Sequence, residues 1–260
     1  MNANDIARYE AEFNRTGKDS DGKFHTLIPQ TIQIPGETGQ MNYTFVRPLT
    51  GDQSFFYEKA FDKVQIVLHF TMGYLPGDVA TLTKKNYHVS VPFIIGRNGI
   101  IYNLFSSQYW SYHLGEGAMG GNDTRSKVTI GIEISNIGPL KRNGDRLVTT
   151  YGENDTYCSL DETHYFEQIS FRGHDYFASF TEAQYVSLGT LLRYLTTRFD
   201  IAREILPENR RFQALQEVVD FNGIVTHVNY RVDGKWDIGP AFNWDRLISE
   251  FQPQIQRTDF

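Results

Sequence analysis

The sequence predicts an α/β (α+β) chain built on a central mixed β-sheet flanked by helices, and three observations carry that prediction. Val64-Gln65-Ile66-Val67-Leu68-His69-Phe70 and Val128-Thr129-Ile130-Gly131-Ile132-Glu133-Ile134 are nearly continuous apolar and β-branched runs, the pattern of strands covered on both faces. Val89 to Gly96 runs into Arg97-Asn98-Gly99, and Asn-Gly is a strong hairpin signal, so Ile100 to Phe105 returns antiparallel in the same sheet. Tyr185, Leu188, Leu191, Leu192, Leu195 and Phe199 share one face of a helix over about 182–198. Thr181-Glu182-Ala183-Gln184 opens it as a capping box.

The remaining elements follow in chain order. Asp5 to Phe13 reads as a short helix and Gly17 to Gly22 as a loop. Thr31-Ile32-Gln33-Ile34 alternates, placing a strand within Leu27 to Pro35, and Asn42 to Val46 is another short strand. Residues 1–62 are expected to form an elaboration packed on a main domain spanning 63–251. Tyr109 to Gly121 is aromatic and glycine-rich, hence a loop. Residues 139–178 are polar and turn-rich, with Asn143-Gly144-Asp145 at a hairpin tip. Ala202 to Asp220 is helical or irregular, Gly223 to His227 is the last strand, Trp244 to Phe251 is a closing helix, and 252–260 is a tail.

A chain of 260 residues buries a sizeable core without covalent staples. Its net charge of -6, with no dominant basic block, argues against a nucleic-acid partner. The single cysteine, Cys158, excludes an intramolecular disulfide and an all-cysteine metal site. The first ten residues lack the apolar core of a signal peptide, and no apolar run approaches membrane-spanning length. The expectation is a soluble chain made in the cytoplasm without a cleavable signal.

His69 closes one buried strand and His227 closes another, and strand ends in such sheets are where sites form. Asp237 follows ten residues after His227. Two histidines and a carboxylate that leave a fourth position open match a catalytic zinc site. On the residues alone, that reading and a pair of structural histidines both stand. Glu133 sits between Ile132 and Ile134, in a strand that reads as central. Burying its carboxylate is costly without a task or a partner, and beside a metal-activated water it is placed to take a proton. Lys235, two residues before Asp237, either reaches the same cavity to stabilise an oxyanion or is an exposed loop lysine.

Five motifs in order resemble the zinc-dependent N-acetylmuramoyl-L-alanine amidases of type 2, a family that includes peptidoglycan recognition proteins. They are Leu68-His69-Phe70-Thr71, Val89 to Gly99, Tyr112-His113-Leu114-Gly115, Ile130-Gly131-Ile132-Glu133 and His227 to Trp244. The resemblance covers about 63–250 and leaves 1–62 and 139–178 outside it. It implies a zinc cleft on one side of the sheet, with His69, His227 and Asp237 as ligands, Glu133 as general base and Lys235 as oxyanion stabiliser. It also implies hydrolysis of the amide between N-acetylmuramic acid and L-alanine, in peptidoglycan or muropeptides. His113 and Asn122 match cleft-lining positions, and Trp110, in the glycine-rich loop, is expected to line the substrate groove. Residues 157–180 are expected either as an added groove wall or as purely structural.

The chain departs from the family pattern at Val91, where some branches carry a catalytic Tyr, at Thr226 in place of Gly, and at Ile238 in place of Pro. With no signal peptide, such an enzyme either acts in the cytoplasm or is delivered to the cell wall by lysis or a dedicated export machine. Two competing readings are a non-catalytic peptidoglycan-binding module and a structural part of a phage-tail-like assembly.

Overall fold

The computed structural model describes residues 1–252. Residues 253–260, most of the expected tail, lie outside the described residues. Chain order gives α1 (Ala3–Thr16), the hairpin β1 (His25–Gln33) and β2 (Gln40–Pro48), then β3 (Gln65–Phe70) and α2 (Leu75–Leu82). The short hairpin β4 (Phe93–Ile95) and β5 (Ile101–Asn103) follows, then α3 (Asn122–Val128) and β6 (Thr129–Ile134). Five strands come next: β7 (Pro139–Asn143), β8 (Arg146–Thr149), β9 (Thr156–Ser159), β10 (Phe166–Phe171) and β11 (His174–Ala178). The chain then passes through α4 (Glu182–Phe199), β12 (Gly223–Thr226), α5 (His227–Tyr230) and α6 (Trp244–Phe251).

Among the described residues the strands form two sheets. The larger has the order β1-β2-β5-β4-β6-β3-β12, with β4, β6, β3 and β12 parallel and β5 antiparallel to β4. Alternation along its two central strands sorts their side chains. Ile66, Leu68 and Phe70 of β3 and Ile130, Ile132 and Ile134 of β6 pack with Tyr185, Leu188, Leu191, Leu192 and Leu195 of α4. His69 and Glu133 therefore point to the other side. They are register partners on adjacent parallel strands, so their side chains stand next to each other. The capping box of α4 is present: Thr181 Oγ1 accepts from Gln184 N, and the Gln184 side chain accepts from Thr181 N.

The N-terminal 62 residues do more than pack on the domain. β2 pairs in parallel with β5, so the β1–β2 hairpin extends the main sheet. Buried Glu10 of α1 accepts from the backbone of Arg97 and Asn98 at the β4–β5 turn (3.1 and 3.3 Å). Glu37, between β1 and β2, pairs with Arg193 and Arg203 (3.0 and 2.9 Å).

Two expectations need correction. The strand expected over Val89 to Gly96 is only Phe93–Ile95, preceded by an isolated bridge from Val89 to Tyr112. Pro92 interrupts it, having no N–H for a ladder. The segment 139–178, expected as turn-rich with one hairpin, is a five-stranded antiparallel sheet of order β10-β11-β7-β8-β9. Its own core includes Ile137, Leu140, Leu147, Tyr157, Cys158 and Phe166. Among the described residues no helix is long and apolar enough to cross a membrane.

Candidate metal centre and its cleft

His69 occupies the fifth position of β3, and His227 is the first residue after β12. Thr226 is the register partner of Leu68, so the next residues, His227 and His69, come level at the ends of adjacent strands. The loop after α5 turns back, with Val228 N donating to Asp237 O at 2.8 Å, and this delivers the third side chain. His69 Nδ1, His227 Nδ1 and Asp237 Oδ2 form a triangle with sides of 2.8, 2.9 and 3.1 Å. All three residues are buried. Tetrahedral zinc, with bonds of about 2.0–2.1 Å, holds its donors roughly 3.3 Å apart, so the triangle is close to what such an ion needs.

The protons around the triangle also fit a cation. His227 Nε2 donates to the Leu114 carbonyl at 2.8 Å, which leaves its lone pair on Nδ1. On the other side a chain of bonds starts at a backbone carbonyl. The Thr129 hydroxyl donates to Arg125 O (2.8 Å), so its oxygen accepts from His113 Nε2 (2.8 Å). His113 Nδ1 is then an acceptor for His69 Nε2–H (3.0 Å), and His69 too presents a lone pair at Nδ1. Three electron-pair donors thus converge from two imidazoles and a carboxylate, the donor set of zinc or a similar ion.

The electrostatics agree. Burial and the nearby His227 push the His69 imidazole down to about 4, and burial with His69 holds His113 well below the usual imidazole range. His69 is thus neutral at pH 7, as ligation requires. Burial works to raise the Asp237 carboxyl, but His227 and His69 outweigh it and hold the group well below the usual carboxylate range. Glu133 behaves oppositely: burial, then the charges of Asp237 and Asp78, raise its carboxyl well above the usual value. Its Oε2 is buried with no hydrogen-bond partner among the described residues.

The triangle opens onto a cleft lined by His113, Glu133, His227, Lys235 and Asp237, together with Thr71, Met72, Ser90, Val91 and Tyr112. Lys235 is half-buried on its wall rather than an exposed loop residue. His113 reaches the cleft and also braces His69. Two expected substrate contacts are not where the sequence reading put them. Trp110 is buried, stacked on Tyr57 (centroids 4.3 Å apart) with Lys127 over its ring, and its neighbour Tyr112 faces the cleft instead. Asn122 directs its amide oxygen at Leu114 N (3.2 Å) and Ser126 Oγ (2.9 Å), so it anchors the loop whose carbonyl holds His227.

The departures from the family pattern leave the triangle intact. Thr226 is buried and contacts Asn229 Oδ1 through its N–H and hydroxyl (2.9 and 3.0 Å). Ile238 is fully buried in the α4-side core. Sequence reasoning missed Thr129, the Leu114 carbonyl and Ser90. The first two act through the fold alone, and Ser90 lies in the Val89 to Gly96 run, whose pattern predicts a strand.

Comparison with known proteins places the chain in a family. The sequence pattern of the N-acetylmuramoyl-L-alanine amidases matches residues 63–240. The N-acetylmuramoyl-L-alanine amidase AmiD of Escherichia coli (strain K12) is 25% identical over 247 residues, spanning 92% of this chain and 72% of that protein. Among solved structures, the E. coli AmiD complex with anhydro-N-acetylmuramic acid-L-Ala-D-gamma-Glu-L-Lys has a TM-score of 0.48 at 22% identity, covering 86% of this chain and 65% of that one. AmpDh3 from Pseudomonas aeruginosa has a TM-score of 0.45 at 19% identity, covering 74% and 61%. With His69, Glu133, His227 and Asp237 all inside the matched span of 63–240, the chain belongs to the N-acetylmuramoyl-L-alanine amidase family.

Proposed function

We infer that this chain hydrolyses the amide joining N-acetylmuramic acid to L-alanine in peptidoglycan or muropeptides, with zinc held by His69, His227 and Asp237. The observation that carries this reading is the buried Nδ1, Nδ1, Oδ2 triangle opening onto a cleft that also holds Glu133, whose Oε2 has no hydrogen-bond partner among the described residues.

Bound there, zinc supplies Lewis acidity toward the lactyl carbonyl and lowers the pKa of a water. The chain's residues do the rest. Asp237 and the two imidazoles present fixed lone pairs, and the Thr129–His113 chain keeps His69 in the right tautomer. Glu133, raised by burial and with one oxygen free, takes a proton from the attacking water. As the C–N bond breaks, Glu133 returns that proton to the departing alanine nitrogen, leaving a free amine on the peptide and a lactyl carboxylic acid on the sugar, which then loses its proton to solvent. Lys235, on the cleft wall, offers its ammonium to the oxyanion formed in between.

The test is to incubate the protein with purified sacculi and to look for free stem peptides by mass spectrometry. Release is expected, abolished by a chelator and restored by zinc. Binding to sacculi without release would instead identify a recognition module and overturn the hydrolytic reading.

A further inference from the structure

The five-stranded sheet holds the loop that carries Lys235 and Asp237. The β10–β11 hairpin turns at Arg172-Gly173, with Arg172 in the left-handed region (φ 45°), rare for a residue with a side chain. From there its guanidinium reaches across to the metal loop. Nη1 donates to the Lys235 carbonyl at 2.6 Å and Nη2 to the Arg231 carbonyl at 3.0 Å, with the Val228 carbonyl at 3.5 Å. The loop answers with Trp236, whose indole N–H donates to Arg172 O at 3.1 Å and whose ring meets His174 edge-on at 5.3 Å. The fit continues past the ligand. A Cβ on Gly239 would lie 2.7 Å from the Phe171 ring, so the chain after Asp237 runs directly against this turn.

We propose that Arg172 is a positioning residue for catalysis: its guanidinium fixes the 228–237 loop, and with it Lys235 and Asp237, relative to His69 and His227. The proposal rests on the zinc-amidase reading of that site. A planar fork suits the task, because one rigid group satisfies carbonyls at both ends of the loop, which a lysine point charge does not reproduce. Backbone carbonyls held in this way leave the Asp237 carboxylate little freedom to swing away from the two imidazoles. The five-stranded sheet is then part of the catalytic apparatus rather than only a wall.

The experiment compares wild type with R172A, R172K and W236F. In metal-free protein, amide hydrogen exchange over 228–237 is expected to accelerate in R172A, while exchange in β3 and β6 stays as in wild type. In zinc-loaded protein, zinc transfer to excess coloured chelator is expected to be about 10–100-fold faster. On a muropeptide kcat falls while KM holds, and R172K recovers only part of the loss. W236F, which removes the indole N–H bond and keeps an aromatic ring in its place, shifts the same readings in the same direction by less, and it decides the matter if R172A does not fold. Loop exchange and zinc release equal to wild type in folded variants would overturn the proposal. If wild type releases no stem peptide, the hydrolytic reading fails while loop exchange still decides the role of Arg172.

Discussion

The two faces of the β3–β6 pair carry opposite kinds of information. One face is all hydrocarbon: Ile66, Leu68, Ile130, Ile132 and Ile134 against the leucines of α4. The other carries the register partners His69 and Glu133, with Gly131 two residues before Glu133 on the same strand, opposite Val67. Gly131 leaves room, since a Cβ there would lie 2.6 Å from Val91 and 3.1 Å from the His113 ring. The α4 face gains stability from burial, whereas the cleft face buries Glu133 Oε2 with no hydrogen-bond partner among the described residues and sets two more imidazoles, His227 and His113, against His69. A single pair of strands thus separates what holds the domain together from what it does.

The largest expected break in that contrast is His227→Ala. It removes one of the three proposed ligands. Bound zinc, measured by elemental analysis, should be lost, and stem-peptide release should fall to background, with the α4 face and the far-ultraviolet circular dichroism unchanged. Retained zinc and rate would show the ligand assignment to be wrong.

Glu133→Gln sharpens it. The variant should keep zinc and lose about 10²–10⁴-fold in kcat, the usual worth of a positioned proton acceptor. The same change should stabilise the metal-free protein. Burial raises the Glu133 carboxyl above its unfolded value, so its contribution to stability is full below the unfolded pKa and is lost as pH rises through the folded one. Melting curves of metal-free E133Q and wild type should coincide in acid and separate toward neutral pH, with the variant higher.

Leu188→Ala is the converse on the α4 face. Leu188 is fully buried, and the truncation should cost about 2–5 kcal/mol in denaturant unfolding. The kcat of the protein that remains folded should not change. A fall in kcat would mean that the two faces are coupled through the strands.

Thr129→Val removes the hydroxyl that orients His113, and through it His69. Zinc affinity, measured by chelator competition, should drop about tenfold. A separate effect belongs to acid pH in the metal-free protein. His69 stays neutral to about 4, whereas an unfolded histidine takes up a proton near 6.5. Its contribution to stability is therefore full above 6.5 and erodes as pH falls toward 4, at up to about 1.4 kcal/mol per pH unit. His69→Gln should flatten that slope in thermal melts.

How much of this was legible in the sequence follows the same division. Strong periodicity and turn chemistry gave the central strands, the Asn98-Gly99 hairpin, α4 with its capping box, and α6 over Trp244–Phe251. The clustered His69, His227 and Asp237 were legible because they sit at strand ends and on the loop that follows. The five-stranded sheet was not. Its outer strands are half-exposed, as in Phe166–Phe171, where few side chains are buried and the two-residue period is faint. Trp110 and Asn122 were misplaced because an aromatic or an amide in a loop has the same sequence signature whether it faces ligand or core. Arg172 gave no signal at all, since its partners are carbonyls some 60 positions away, and carbonyls have no residue type.

The β1–β2 hairpin has a practical consequence for anyone trimming this protein to its family-matched span. β2 covers β5 through Thr44 and Phe45, opposite Tyr102 and Asn103. Cutting before residue 63 would leave β5 as a bare sheet margin, with unpaired backbone groups ready to recruit a second molecule. The full chain places its outer margin on β1, where Pro29 supplies no N–H at mid-strand. A shortened version is therefore expected to self-associate more than the longer chain, which light scattering would check before activities are compared.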